Sequence, residues 1–228
     1  MNKTKTPQQK ENYRMFKVAG QLILIDDFYY RRLFKDPDIP PTRRKYTFIK
    51  GFTFCNGYPH IVIKLKPVKT VRLSRYIMRP GRGEIVDHIN RIKTDNRRSN
   101  LRIVNTRQNN LNRKLKNNTG LIGVSVSKDR RSFFVRASYR AADSRRLTFY
   151  CKDTPFNRIL TALAHDKFVL QAGEEEYALL NFPCWKSESL RSFLLNEDLK
   201  KYKESSRRNP CPKPAKKLFD KFAKLNLG

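Results

Sequence analysis

The chain has 228 residues, room for one large domain or two small ones with extensions. It carries 50 Lys and Arg against 20 Asp and Glu, a formal charge of +30 with a pI near 10.4. A charge of that size repels itself in a compact chain and points to a polyanionic partner, nucleic acid first.

A membrane surface is disfavoured, because no apolar run approaches spanning length and the N-terminal MNKTKTPQQKENYR lacks the apolar core of a signal peptide. Cys55, Cys151, Cys184 and Cys211 are scattered without a Cys-x-x-Cys pair, which supports neither a structural zinc nor a disulfide framework. The expectation is a soluble, intracellular, cytoplasmic protein with reduced thiols.

Residues 1–16 are polar and basic and read as a flexible arm. QLILIDD reads as a strand, and DPDIPP at 36–41 as a loop. RKYTFIKGFTFCNGYPHIVIKL offers two or three strands with Asn56-Gly57 as a hairpin turn, and His60 falls on a strand surface. VRLSRYIMRP at 71–80 has helical apolar spacing, and Pro80-Gly81-Arg82-Gly83 turns into the next strand.

Residues 84–115 then read as strand, loop, strand and helix. Glu84–Ile89 alternates as a strand, Thr94-Asp95-Asn96 is turn-forming, and Leu101–Val104 is a second strand. Thr106 is the expected N-cap of a helix over 107–115. Such a hairpin can bring Asp87, His88, Asn100 and Asn109 to one point. Phosphodiester hydrolysis needs a deprotonated water, and a neutral imidazole is the side chain best matched to take that proton near pH 7. It also needs a cation against the charge on the leaving oxygen, and one carboxylate with one amide oxygen makes a hard donor set that suits Mg²⁺.

The order Asp-His, then Asn-Leu-Arg, then Gln-Asn resembles the HNH (ββα-metal) nucleases of the phage homing-endonuclease type. The resemblance implies His88 as general base, Asp87 and Asn109 as ligands of one Mg²⁺ or Mn²⁺ per active site, and Asn100 as the residue that braces the hairpin and orients His88. Asn109 stands where many members carry a second metal-binding histidine. The helix at 71–80 resembles the one that precedes the hairpin in these proteins, with Ser74-Arg75 in place of a common His-Arg pair. Arg75, Arg97, Arg98 and Arg102 are the expected DNA contacts of this unit.

From NNTGLIGVSVSKD onward, three alternating segments have one apolar and one polar face. Val124 and Val126, then Phe133, Val135, Ala137 and Tyr139, then Leu147, Phe149 and Cys151 form the apolar side. Thr154-Pro155 opens a helix over 155–172 and Gly173 closes it, with Ile159, Leu163, Val169 and Leu170 expected over the sheet. His165 reads as an ordinary helix residue.

The Asn-Asn-Thr-Gly opening and the Tyr177–Pro183 ending of this unit resemble the ethylene-response-factor type of DNA-binding domain, which reads the major groove with the polar face of its sheet. The resemblance implies Arg136, Ser138, Arg140, Arg146 and Thr148 as DNA-facing. Val135 replaces the tryptophan common on the second strand. The tail from Trp185 suggests helices over 187–204 and 215–226.

The expected fold is α+β: a flexible arm (1–16), an HNH nuclease domain (17–116), an ethylene-response-factor-like domain (117–183) and a helical tail (184–228). Residues 68–147 hold 21 Lys and Arg against 5 Asp and Glu, so +16 of the charge falls on the hairpin and the sheet, as a binding footprint would. The function these features imply is a metal-dependent homing-type endonuclease on double-stranded DNA, acting as a monomer or weak dimer at a long site. The alternatives are a non-catalytic DNA-binding regulator, which predicts loss of Asp87, His88 or Asn109, and a basic RNA-binding protein, which predicts exposed stacking aromatics.

Overall fold

The computed structural model describes residues 12–34, 49–63, 68–113, 117–129 and 132–203. They fall into two α+β units that divide between Asn109 and Asn110.

The first unit opens with a hairpin of β1 (Tyr13–Val18) and β2 (Gln21–Asp26). The arm expected over 1–16 therefore overruns, since residues 13–16 are strand. Phe16 explains the difference: its ring meets Tyr30 at 5.5 Å and Phe52 at 5.3 Å, whereas the rest of β1 is mostly exposed and reads as polar. The short helix α1 (Asp27–Leu33) follows at once and has no counterpart in the sequence reading. Asp27 anchors it by pairing with Arg14 and Arg31, and those guanidinium groups, Arg14 first, hold its carboxyl below the usual carboxylate range.

Strands β3 (Ile49–Cys55), β4 (Tyr58–Ile63) and β5 (Lys69–Arg72) form a meander in that order. Asn56 and Gly57 join β3 to β4 with φ of 52° and 78°, the paired left-handed conformation of a two-residue hairpin turn. Along β4, Pro59, Ile61 and Ile63 point inward, while Tyr58, His60 and Val62 are half-buried on the other face. Helix α2 (Leu73–Met78) is shorter than the 71–80 expected, because residues 71 and 72 finish β5 and Arg79 turns left-handed. The core joins Ile23 and Ile25 of β2, Ile61 of β4, and Leu73 and Ile77 of α2 to the hairpin that follows.

That hairpin is β6 (Ile85–His88) and β7 (Leu101–Val104), with helix α3 (Thr106–Leu111) behind it. The cap of α3 is Asn105, not Thr106. Asn105 Oδ1 accepts from the Gln108 N–H at 2.8 Å, and Gln108 Oε1 accepts from the Asn105 N–H at 3.0 Å, a reciprocal capping box. The helix ends at Leu111 rather than Leu115.

The second unit has β8 (Val124–Asp129), β9 (Ser132–Arg140) and β10 (Arg146–Lys152) in the order β10-β9-β8, under helix α4 (Pro155–Gln171). The Thr154 side chain caps α4 by accepting from the Asn157 N–H at 3.1 Å. Val135, Ala137 and Phe149 are buried as expected. Two residues differ: Ile159 faces outward while Leu160 fills the core, and Phe133, on the inward parity of β9, lies exposed near the strand end.

The tail belongs to this core. Trp185 in a short turn over Pro183–Lys186, Leu190 and Leu194 of helix α5 (Glu188–Asn196), then Leu199 and Tyr202, join the cluster around Val135 and Leu170. The single helix expected over 187–204 breaks after Asn196, because the Asp198 carboxylate accepts from the Lys200 N–H at 3.1 Å and starts a new short turn over Leu199–Tyr202. The expected loop at 36–41, the expected helix at 215–226 and Cys211 lie outside the described residues.

A buried polar joint locks β8 and α4 together. The Asn181 side chain accepts from the Ile122 N–H at 2.7 Å and donates to the Ile122 carbonyl at 3.0 Å. Asp166, wholly buried on α4, accepts from the backbone N–H groups of Asn181 and Phe182, both at 2.9 Å. His165 packs so close to Gly123 that a Cβ there would lie 2.0 Å from the imidazole Cδ2, which leaves glycine as the only side chain that fits. Asn181→Ala strands the Ile122 N–H and carbonyl, so it should cost about 1–3 kcal/mol. Trp185, the one tryptophan of the chain and part of this core, reports the transition by fluorescence in denaturant. An unchanged midpoint would contradict the joint.

Candidate active site

The register of β6 on β7 decides what meets what. Val86 turns into the core and pairs with Ile103, whereas Asp87 pairs with Arg102 and His88 with Leu101. Val86, Asp87 and His88 are all buried, so this strand is covered on both faces and carries charge on one of them. Burial of a carboxylate needs a partner. Arg102 provides it: its Nε and Nη2 donate to Asp87 Oδ2 at 3.0 and 2.8 Å, and both side chains are nearly enclosed.

Between the strands, residues 89–100 form a loop held by its own polar side chains. The Ile89 N–H donates to the Asn100 carbonyl at 2.9 Å and closes the hairpin. Asn100 Oδ1 accepts from the Asn90 N–H at 3.0 Å, and its Nδ2 donates to Asn90 Oδ1 and to the Asp95 carbonyl, both at 2.9 Å. Asn90 Nδ2 in turn donates to Asp95 Oδ2 at 2.8 Å, and the Arg97 guanidinium grips the Asp95 carboxylate at 2.9 and 2.8 Å. That guanidinium, more than any other group, holds the Asp95 carboxyl below its usual range.

The loop is also clamped from outside. The Leu24 N–H donates to the Thr94 carbonyl and the Asn96 N–H to the Leu24 carbonyl, a short parallel bridge onto β2. The Arg98 N–H donates to Asp26 Oδ2 at 2.8 Å. The N-terminal hairpin thus fixes a loop some seventy residues away in sequence.

His88 is 5% exposed, and burial pulls its imidazole below the ordinary value. The Asn96 side chain and the carboxylates of Asp87 and Asp95 act in the opposite direction, and Arg72 adds to the lowering. Asn96 is wholly buried, close enough to bear on the ring, yet its Oδ1 has no hydrogen-bond partner of good geometry among the described residues. Burial thus favours the neutral imidazole, the form a general base needs.

The sequence-derived residues therefore divide. Asp87 and His88 are adjacent on β6, and Asn100 braces the loop as expected. Asn100 does not orient the His88 ring, because its amide is spent on Asn90 and Asp95; Asn96 is the amide beside the ring. Asn109 is half-buried on α3 and makes no hydrogen bond to Asp87 or His88 among the described residues. No group of three or more His, Cys, Asp and Glu suited to a metal is found among the described residues.

The expected DNA contacts of this unit fare unevenly. Arg102 and Arg97 are taken up by Asp87 and Asp95 rather than displayed for DNA. Arg75 is exposed and donates to the Glu84 carbonyl at 3.0 Å, tying α2 to the start of β6. Beside it Ser74 is wholly buried, its hydroxyl without a partner among the described residues. Arg98 remains exposed, with Nη1 on the Tyr29 hydroxyl at 3.1 Å.

On the second unit, Arg136, Arg140, Arg146 and Thr148 are exposed and Ser138 half-buried. Register aligns Ser125, Arg136 and Tyr150 in one row across the sheet, Ser138 with Thr148, and Arg140 with Arg146.

The sequence reading missed Asn90, Asp95 and Asn96 as a structural set, taking Asp95 and Asn96 as turn formers and not singling out Asn90. Their density within one loop was the available signal, since amides and acids concentrated between two apolar strands can satisfy one another.

The depressed His88 titration has a consequence for stability. In the metal-free chain the folded ring resists the proton that the unfolded ring takes up below its ordinary value, about 6.5. Stability should then fall as pH drops through that value toward the lower folded one. Thermal melting in chelator from pH 7.5 to 5 should show this slope for the wild type and a flatter one for His88→Gln. Equal slopes would contradict the assignment.

Residues 80–111 match the family model described as HNH endonuclease. The matched stretch takes in β6, the clamped loop, β7 and α3, and so Asp87, His88, Asn100 and Asn109. No curated protein and no solved structure matches the chain. The segment that carries the buried Asp–His pair is thus similar to a nuclease domain, one of DNA-cleaving hydrolases.

Proposed function

We propose that the protein is a metal-dependent HNH endonuclease of homing type that hydrolyses phosphodiester bonds in double-stranded DNA at a long site. The observation that carries this reading is His88, buried beside a carboxylate on a hairpin whose loop is clamped by hydrogen bonds, in a chain of charge +30. His88 takes the proton of the attacking water. Asn100, Asn90 and Asp95 keep the loop that follows His88 from shifting, and Asn96 lies against its ring.

Asp87 and Asn109 are the residues that would hold a divalent ion, through one carboxylate and one amide oxygen. In the metal-free chain Arg102 holds that carboxylate, so an ion would share Asp87 with the guanidinium or displace it. Hard oxygen donors favour Mg²⁺ or Mn²⁺ over zinc. When bound, the ion would neutralise the charge that grows on the leaving oxygen.

The second unit is proposed to read the DNA sequence, with Arg136, Ser138, Arg140, Arg146 and Thr148 toward the major groove. Its support is the exposed row of polar side chains in one register on β9 and β10. Asp87, His88 and Asn109 are all present, which disfavours a non-catalytic regulator. Tyr150, exposed in the row with Arg136, and half-buried Phe134 on the same face of β9 favour RNA, where an aromatic can stack on a base.

His88→Ala should lower strand cleavage by ~10²- to 10⁴-fold while DNA binding survives. EDTA should stop cleavage, and Mg²⁺ or Mn²⁺ should restore it. Supercoiled plasmid with purified protein reads both, and cleavage by the variant at wild-type rate removes His88 from the reaction. Arg136→Ala should lose about 1 to 3 kcal/mol on the cognate duplex and less on a scrambled one, as for a base contact. Equal losses would make the sheet a general electrostatic surface.

A further inference from the structure

We propose that Arg72 and Lys93, gathered on the ring of Tyr58 beside His88, form a clamp for the phosphate backbone of the DNA. The clamp rests on the nuclease reading for the identity of its ligand.

The side chains come from three places that the fold brings together. Arg72 is the last residue of β5 and pairs in register with His60 on β4. Tyr58 lies two residues before His60, on the same face of the sheet, so it is Arg72's diagonal neighbour across the strands. The Arg72 guanidinium carbon is 4.1 Å from the centre of the Tyr58 ring. Lys93 arrives from the clamped loop: its Nζ is 4.7 Å from the same ring centre and donates to the Asn56 carbonyl at 2.8 Å. The Tyr58 and His88 rings are 5.7 Å apart.

These two cations differ from the arginines nearby. Arg97 and Arg102 are spent on carboxylates, whereas neither Arg72 nor Lys93 pairs with a carboxylate among the described residues. Two positive groups drawn to one ring repel each other, and an anion near both of them lowers that repulsion. A guanidinium lying over an aromatic ring keeps the N–H groups at its edge available, the geometry that takes a phosphate with two parallel hydrogen bonds. The ammonium of Lys93 adds a point charge. Arg72 already bears electrostatically on the His88 imidazole, which places the positive charge within reach of the reacting centre.

The ligand chemistry that fits is a phosphodiester monoanion, at or next to the bond that His88 serves. Lys93 therefore has two attachments, one to the hairpin turn and one to the ring, and both hold it near His88 before substrate arrives.

The test uses the full chain and duplex DNA, first in chelator, with binding titrated across salt concentrations. Each phosphate contact contributes roughly 0.9 to the slope of log K against log salt. Arg72→Gln and Lys93→Gln should each lower the slope by about that amount and the double variant by about twice as much, while Arg72→Lys retains it. Lys93 is exposed, so Lys93→Gln carries the test even if a substitution at Arg72 unfolds the chain. A double variant with the wild-type slope overturns the clamp.

A second arm adds Mg²⁺ and follows single-turnover cleavage. If wild type and double variant cleave alike and bind with equal slopes, the clamp falls and the nuclease reading stands. If the slope drops as expected but the wild type cuts no DNA with any divalent ion, the phosphate clamp stands and the nuclease reading falls.

Discussion

The site depends on one polar constraint, the exchange of hydrogen bonds among Asn90, Asp95 and Asn100. A loop of twelve residues between two four-residue strands would ordinarily cost backbone entropy with little apolar burial to offset it. Here Asn100 closes the loop from its base, Asp95 takes the amide of Asn90 from inside, and Arg97 neutralises the carboxylate so that it can be buried. Buried polar networks are stabilising only when nearly every member is satisfied. This one fixes the residues that follow His88 and hence the place of the imidazole. The β1–β2 hairpin and α1 join the same constraint through Leu24, Asp26 and Tyr29.

Charge is partitioned by the same logic. The chain as a whole is strongly basic, yet the cations nearest the hairpin divide into those that hold the protein together and those that face outward. Arg97 and Arg102 neutralise buried acids and are structural, although their spacing in the sequence is that of any basic loop. Arg72 and Lys93 rest on an aromatic ring instead. Net charge alone cannot make that distinction, because it depends on which carboxylates the fold brings within reach.

Much of the architecture was legible in the sequence. The second hairpin strand, Leu101–Val104, the Asn56-Gly57 turn and the Thr154 cap of α4 all follow from short-range rules of alternation and turn chemistry, and the structure has them where those rules put them. That Asp87 and His88 stand side by side on one strand follows from the same alternation. What failed was information carried across distance. The docking of β1 needs Phe16 to find Tyr30 and Phe52, and α1 is too short to show a period. The tail had helical spacing, but only the core shows that Trp185 and Tyr202 complete it. The family resemblance gives Asn100 the orientation of His88, whereas its amide bonds Asn90 and Asp95 and leaves that place to Asn96.

The account's central claim is that the His88 imidazole, held neutral by burial, takes the proton of the attacking water. Chemical rescue tests it most directly. His88→Gly removes the imidazole from the end of β6, and single-turnover cleavage of duplex DNA can be followed with and without added imidazole. The account predicts that cleavage is lost in the variant and returns with imidazole concentration, most strongly where the added base is neutral. A correctly folded, DNA-binding His88→Gly variant that cleaves at wild-type rate without imidazole, or that no added base restores, would contradict it.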